Sequence, residues 1–138
     1  MKALTHLLDT NILSDLIRYP QGVIAKKIRE RGEKTVCTSL IVAAEIRYGC
    51  AKKQSVKLTA QANAILEALT ILPLEPPVDE IYGQIRHTLE AKGASIGPND
   101  LLIAAHALSN NLTVVTANEA EFSRVPKLRV ENWLKAKG

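Results

Sequence analysis

The chain's short apolar runs do not alternate with polar residues, and this restricts the fold more than any other feature of the sequence. Leu4–Leu8, Thr35–Thr38, Thr70–Leu74, Leu112–Thr116 and a possible last run at Leu128–Val130 are of this kind. A strand with one wet face alternates. A strand apolar on both sides must be covered on both faces, as parallel strands under helices are. Segments with helical spacing lie between the runs. They are Asn11–Arg18, closed by Tyr19-Pro20; Gly22–Arg31, with Ile24 and Ile28 one turn apart; and Leu40–Tyr48, capped by Ser39 and stopped at Gly49. Next come Ser55–Leu69, a stripe from Val78 to Leu89 ending at Lys92-Gly93, and Pro98–Leu108, which is apolar nearly all round. Pro73–Pro77 reads as a turn. Helices alternating with buried strands predict an α/β protein, a three-layer α/β/α sandwich around a central, mainly parallel sheet. At 138 residues with no internal repeat, residues 1–138 form one domain.

Composition narrows the function classes. Hydrophobic residues make up 46% of the chain, enough for a core, and aromatics only 4%, so aliphatic packing must fill it. No apolar run approaches the roughly 18 residues of a membrane span. The N-terminal stretch meets Asp9 at once and lacks a secretory cleavage site. Two cysteines, Cys37 and Cys50, are too few for a disulfide framework, so a reducing cytoplasm is expected. A formal charge of +4 permits an anionic partner without demanding one.

The carboxylates stand out by their company. Asp9 ends an apolar run, Glu45 is embedded in Ile-Val-Ala-Ala-Glu-Ile, and Asp100 precedes Leu-Leu-Ile-Ala-Ala-His. A buried carboxylate is costly unless it is paired or coordinates a cation. Each has an ordinary reading too. Asp9 could cap a helix, Asp100 could sit on a helix dipole, and Glu45 could pair with a Lys or Arg one turn away. Taken together they suggest more. In an open parallel sheet, ligands bind beyond the carboxyl ends of the strands. Asp9 lies at such an end, and the run Leu112–Thr116 ends in another polar cluster, Thr116, Asn118, Glu119 and Glu121. Acids converging there repel one another unless a cation intervenes, and an all-oxygen site suits Mg²⁺ or Mn²⁺. Zinc is disfavoured, because His6, His87 and His106 are scattered and no zinc-type spacing occurs. His106 reads as packing within its helix.

Several motifs follow one another in order. They are Leu7-Leu8-Asp9-Thr10-Asn11, Ala43-Ala44-Glu45-Ile46-Arg47-Tyr48-Gly49, Gly97-Pro98-Asn99-Asp100-Leu101-Leu102-Ile103-Ala104-Ala105-His106, Val115-Thr116-Ala117-Asn118 with Glu121-Phe122, and Glu131-Asn132-Trp133. The ordered set resembles the PIN-domain ribonucleases of the VapC family, from bacterial toxin–antitoxin pairs, over essentially the whole chain. The resemblance implies an α/β/α fold and Mg²⁺- or Mn²⁺-dependent cleavage of RNA, with tRNA as substrate and the anticodon region of initiator tRNA among the targets. It implies a VapB-type antitoxin that binds DNA through its own N-terminal part and blocks the toxin with its C-terminal tail, and a homodimer of the toxin. By position, Asp9 matches the first metal ligand, Glu45 the second acid and Asp100 the third. Thr10, Asn11 and Thr116 match residues that orient acids or substrate. Where many family members carry a fourth acid this chain has Asn118, and Glu119 or Glu121 could supply the missing charge.

Carboxylates repel phosphate, so they serve its hydrolysis only through a metal. On this reading Asp9 and Asp100 hold one Mg²⁺, with Glu45 joining directly or through water, and the products carry 5′-phosphate and 3′-hydroxyl ends. Arg18, Lys26, Lys27, Arg47, Lys52, Lys53 and Arg86 are the candidate phosphate contacts. The rival is a weak or inactive PIN-like module that only binds a partner, for which Asn118 is the best support. A phosphoacceptor signalling domain would want adjacent acids after the first strand and a lysine after the last. Asp9-Thr10-Asn11 and Arg129-Val130-Glu131 do not fit it. A P-loop is excluded, because no GxxxxGK[ST] occurs.

Overall fold

In the computed structural model, which describes residues 3–135, the short runs become five parallel strands. They are β1 (His6–Leu8), β2 (Val36–Ser39), β3 (Thr70–Leu72), β4 (Thr113–Val115) and β5 (Val130–Glu131), ordered β3-β2-β1-β4-β5. Every residue of β1, β2 and β4 is buried, which is why these stretches cannot alternate. The edge strands β3 and β5 keep partial exposure. The helices are α1 (Thr10–Arg18), α2 (Val23–Arg31), α3 (Leu40–Lys53), α4 (Val56–Ala68), α5 (Val78–Ala91), α6 (Pro98–Ser109) and the single turn α7 (Glu119–Phe122). Helices α1 to α4 pack on one another, and α5 packs on α6. Right-handed crossovers between parallel strands place these two groups on opposite faces of the sheet. The sandwich expected from the sequence is therefore the fold.

The strand order locates the site. From β1 the chain steps to β2 and then β3, and afterwards returns to β4 on the other side of β1. The order reverses between β1 and β4, so the loops leaving these two strands diverge and open a crevice above their carboxyl ends. Asp9 follows β1 and Thr116 follows β4. Register sets them side by side, because Leu8 pairs with Val115 and the Asp9 amide donates to the Val115 carbonyl at 2.9 Å.

Several boundaries differ from the sequence reading, each for a local reason. Helix α3 does not stop at Gly49 but continues to Lys53. Glycine costs about 1 kcal/mol within a helix and does not end one when helix-forming residues follow, as Ala51, Lys52 and Lys53 do here. The stop is Gln54, whose left-handed φ of 52° turns its amide onto the Cys50 carbonyl. Strand β3 ends before Pro73, which has no amide to donate to a ladder. Thr35 belongs to a 3₁₀ turn, Glu33–Thr35, ahead of β2. The last strand shifts to Val130–Glu131. Helix α7 adds an element that the sequence pattern does not mark, since one turn carries no periodicity. Its anchor is Phe122, which is fully buried.

Because Phe122 alone pins this turn into the core, Phe122→Ala is expected to cost about 3–5 kcal/mol. A urea titration reads this as a lowered midpoint at unchanged slope, and a loss under 1 kcal/mol would mean that α7 is not held by its aromatic anchor.

Candidate functional site

Helix α1 begins directly above the crevice, and its faces are sharply divided. Ile12, Leu13, Leu16 and Ile17 are buried. The opposite stripe, Thr10, Asn11, Ser14, Asp15 and Arg18, lines an open cleft together with Asp9, Glu45, Asp100 and Asn118. Four carboxylates, Asp9, Asp15, Glu45 and Asp100, thus share one depression, three of them from distant stretches of the chain. Ser14 and Asp15 were not singled out from sequence. Their signal was there, a polar stripe at i, i+4 and i+8 on an otherwise apolar helix.

The hydrogen bonds decide between the ordinary and functional readings of each acid. Asp9 occupies the N-cap position of α1, yet its side chain makes no capping bond. Its Oδ2 instead accepts from Thr116 Oγ1 at 2.8 Å and, more weakly, from Asn11 Nδ2 at 3.5 Å. Among the described residues Glu45 makes no ion pair with a neighbouring base. Its Oε1 accepts from Thr10 Oγ1 at 2.6 Å and its Oε2 from Asn99 Nδ2 at 3.4 Å. Asp100 sits in the first turn of α6, where the dipole favours an anion, but among the described residues it too lacks a salt bridge.

Crowding shows in the protonation of these groups. Burial pushes the Asp9 carboxyl above its ordinary value, against the bonds from Thr116 and the Thr10 amide, and the charges of Glu45 and Glu121 add to the push. Asp100 is pushed up to about 7 by burial, by a hydrogen bond with Glu121 that needs its proton, and by the charges of Asp9, Glu121 and Glu45. Helix α7 therefore sets a further acid, Glu121, beside the cleft, against Asp100 and the cleft-lining Asn118. Glu121 joins the cluster, whereas Glu119 turns away to Asn132 and Lys135. Asn118 lines the cleft and its Nδ2 donates to Glu121 Oε2 at 3.2 Å, while its amide donates to Thr116 Oγ1 at 2.9 Å. Thr116, Asn118 and Asn11 form a polar brace beneath Asp9, which Asn11 completes by accepting from the Ala117 amide at 3.0 Å.

Among the described residues no three His, Cys, Asp or Glu side chains close into a ready-made metal cage. The acids instead surround an open depression. That suits a hard cation which keeps several of its waters and takes only one or two carboxylates directly, the habit of Mg²⁺. The donors are all oxygen, and among the described residues Arg18, at the rim, is the one base that lines the cleft.

The candidate phosphate contacts separate in space. Arg18 lines the cleft. Lys53 lines an adjoining groove, mainly apolar, between α1, α3 and α4; it contains Ile17, Ile46, Cys50, Leu58 and Ala62 and shares Thr10, Ser14, Arg18 and Glu45 with the cleft. The remaining bases are elsewhere. Arg47 donates to Asn63 at 2.7 Å, and Arg86 on α5 is engaged by Glu90 and Tyr82. Lys26 and Lys27 on α2, and Lys52 on α3, do not line the cleft.

A family model for the PIN domain matches residues 6–128. Among curated proteins, "Ribonuclease VapC2" of Rickettsia felis is 38% identical over 130 residues, 93% of this chain and 97% of its own length. The "tRNA(fMet)-specific endonuclease VapC" of Salmonella typhimurium is 35% identical over 134 residues, 94% of this chain and 98% of its own. Among solved structures, VapBC2 from Rickettsia felis bound to a DNA fragment from its promoter superposes with a TM-score of 0.88 at 36% identity, covering 94% of this chain and 99% of that one. DNA-bound VapBC from Salmonella typhimurium gives 0.84 at 32% identity, covering 94% and 98%.

The crowding has a pH signature. Asp100 binds its proton with a pKa near 7 in the fold and near 3.8 when unfolded, so the folded state holds more protons between these values and stability falls as pH rises through them. Asp100→Asn removes that loss. Its advantage in melting temperature without divalent ions is expected to be small at pH 4, to grow toward pH 7 and to level off above. Calorimetry across pH checks this, and a difference that does not vary with pH would reduce Asp100 to a helix-start residue.

Proposed function

This chain belongs to the PIN-domain family and, within it, to the VapC ribonucleases, and we propose that it is a Mg²⁺-dependent endoribonuclease that cuts tRNA, with the anticodon region of initiator tRNA among its targets. The observation that carries this reading is the meeting of Asp9, Glu45 and Asp100 in one cleft at the point where the strand order reverses. A relative named for specificity toward tRNA(fMet) supports the substrate class.

Asp9 and Asp100 are the residues that would hold the ion, with Glu45 joining directly or through water. When bound, Mg²⁺ offsets the acids' charge, polarises a phosphate oxygen and makes water a better nucleophile. The protein's own part is alignment. Thr10 fixes the Glu45 carboxylate, and Thr116 with Asn11 fixes that of Asp9. Glu121, steadied by Asn118, supplies the charge that the amide at 118 lacks. Arg18 stands at the lip of the cleft with no carboxylate partner among the described residues, free to fork onto a substrate phosphate.

The mainly apolar groove supports a regulatory partner. It runs from Leu58 and Ala62 to Thr10 and Glu45, so an extended apolar tail lying in it ends at the acids. A VapB-type antitoxin seated there would exclude RNA and, through its own DNA-binding part, tie the complex to DNA; the VapBC complexes of Rickettsia felis and Salmonella typhimurium are themselves DNA-bound.

Incubated with purified initiator tRNA, the protein is expected to cut in Mg²⁺, to stop in excess EDTA, and to leave 5′-phosphate and 3′-hydroxyl ends. Asp9→Asn is expected to be inert while folding normally. A 2′,3′-cyclic phosphate product, or full activity in EDTA, would overturn the mechanism. Arg18→Ala is expected to raise KM and to lower the salt dependence of tRNA binding by about one phosphate contact, read from the slope of log affinity against log salt. An unchanged slope would remove Arg18 from the substrate grip.

A further inference from the structure

Behind the cleft lies a buried pair that the reaction does not touch. His106 is 1% exposed and Ser39 fully buried, and His106 Nδ1 lies 2.8 Å from Ser39 Oγ. On the other side of the ring, Nε2 lies 3.1 Å from the Pro73 carbonyl oxygen. A carbonyl can only accept, so Nε2 carries the proton. In a neutral ring Nδ1 is then an acceptor, and the Ser39 hydroxyl must donate to it. Ser39 Oγ in turn accepts from the Ile41 amide at 3.1 Å, capping α3. The hydrogen bonds therefore run in one direction, from the Ile41 amide through Ser39 and His106 to Pro73. Burial holds the ring neutral, as this chain of bonds requires. A Ser–His contact of this length elsewhere activates a nucleophile. Here the Ser39 hydroxyl is fully buried, so no substrate reaches it.

What it joins is informative. Ser39 caps the helix that carries Glu45, and His106 lies on the helix that carries Asp100. Each acid is six residues from its end of the bond, about 9 Å along a helix. Pro73 adds the exit of β3 to the same ring. We propose that His106, held by Ser39, is a positioning residue that fixes the helix bearing Glu45 relative to the helix bearing Asp100. A small shear between α3 and α6 changes the spacing of the two carboxylates directly, and displacements of the order of 1 Å near a reacting group can cost about a hundredfold in rate. The proposal rests on the nuclease reading above only for its kinetic test.

The test is a double-mutant cycle. Ser39→Ala, His106→Leu and the double variant are assayed on tRNA in saturating Mg²⁺, well below each variant's melting temperature, with near-ultraviolet circular dichroism confirming the fold. Each single change is expected to lower kcat by about tenfold or more while KM stays within about twofold. The double variant should be no worse than the poorer single one. His106→Asn, whose amide oxygen can accept from Ser39 as Nδ1 does, should recover most of the lost kcat. Unchanged kcat in folded Ser39→Ala and His106→Leu, or losses that multiply in the double variant, would overturn the proposal. If His106→Leu does not fold, Ser39→Ala with His106→Asn decides it. If the wild-type chain cuts no RNA, the nuclease reading fails on its own, and crystal structures of wild type and Ser39→Ala judge the pair instead. A shifted Glu45–Asp100 separation supports it, and an unchanged separation sinks it.

Discussion

Repulsion among carboxylates is the constraint around which the rest of this molecule is arranged. The charges of Glu45 and Glu121 press on the carboxyls of Asp9 and Asp100 at the mouth of a sheet whose middle strands are wholly buried. Left to themselves, four such groups would open that mouth. The fold holds them there by committing rigid elements to each: the end of β1, the body of α3, the first turn of α6 and the pinned turn α7. Hydroxyls and amides do the fine alignment. Thr10, Thr116, Asn11 and Asn118 each engage an acid without cancelling its charge, so the site keeps its appetite for a cation.

The two kinds of buried polar contact do different work. Bonds in the cleft orient groups that face solvent and substrate. The bond between Ser39 and His106 faces only protein, and its value lies in direction, since each member has one proton and one lone pair in use. A neutral bond of that sort contributes only about 0.5–1.5 kcal/mol to stability. Its geometric effect is larger in consequence, because it links two helices that have no covalent reason to keep step.

Much of this was legible before any coordinates. The non-alternating runs and the helical stripes between them specify the sandwich, and acids set among apolar residues mark the cleft. What the sequence did not disclose has physical reasons. Gly49 looked like a stop, but a single glycine costs too little to end a helix that continues into Ala51, Lys52 and Lys53. Glu119 and Glu121 were equal candidates, and a one-turn helix anchored by Phe122 separates them by pointing one at Asp100 and the other at Lys135. The bases scattered because their placement depends on which helix faces the cleft, and only α1 presents its polar stripe there. His106 read as packing within its helix, since its partners lie 67 and 33 residues away and no local pattern marks them.

The bond from Thr116 to Asp9 spans 107 residues and ties the first strand of the chain to the fourth, its neighbour in the sheet. During synthesis, Asp9 must wait for the 107 residues that separate it from Thr116 before its brace exists. Until β4 slides in beside β1, there is neither a crevice nor a Glu121 to complete the ring. A nascent chain is thus disarmed by topology.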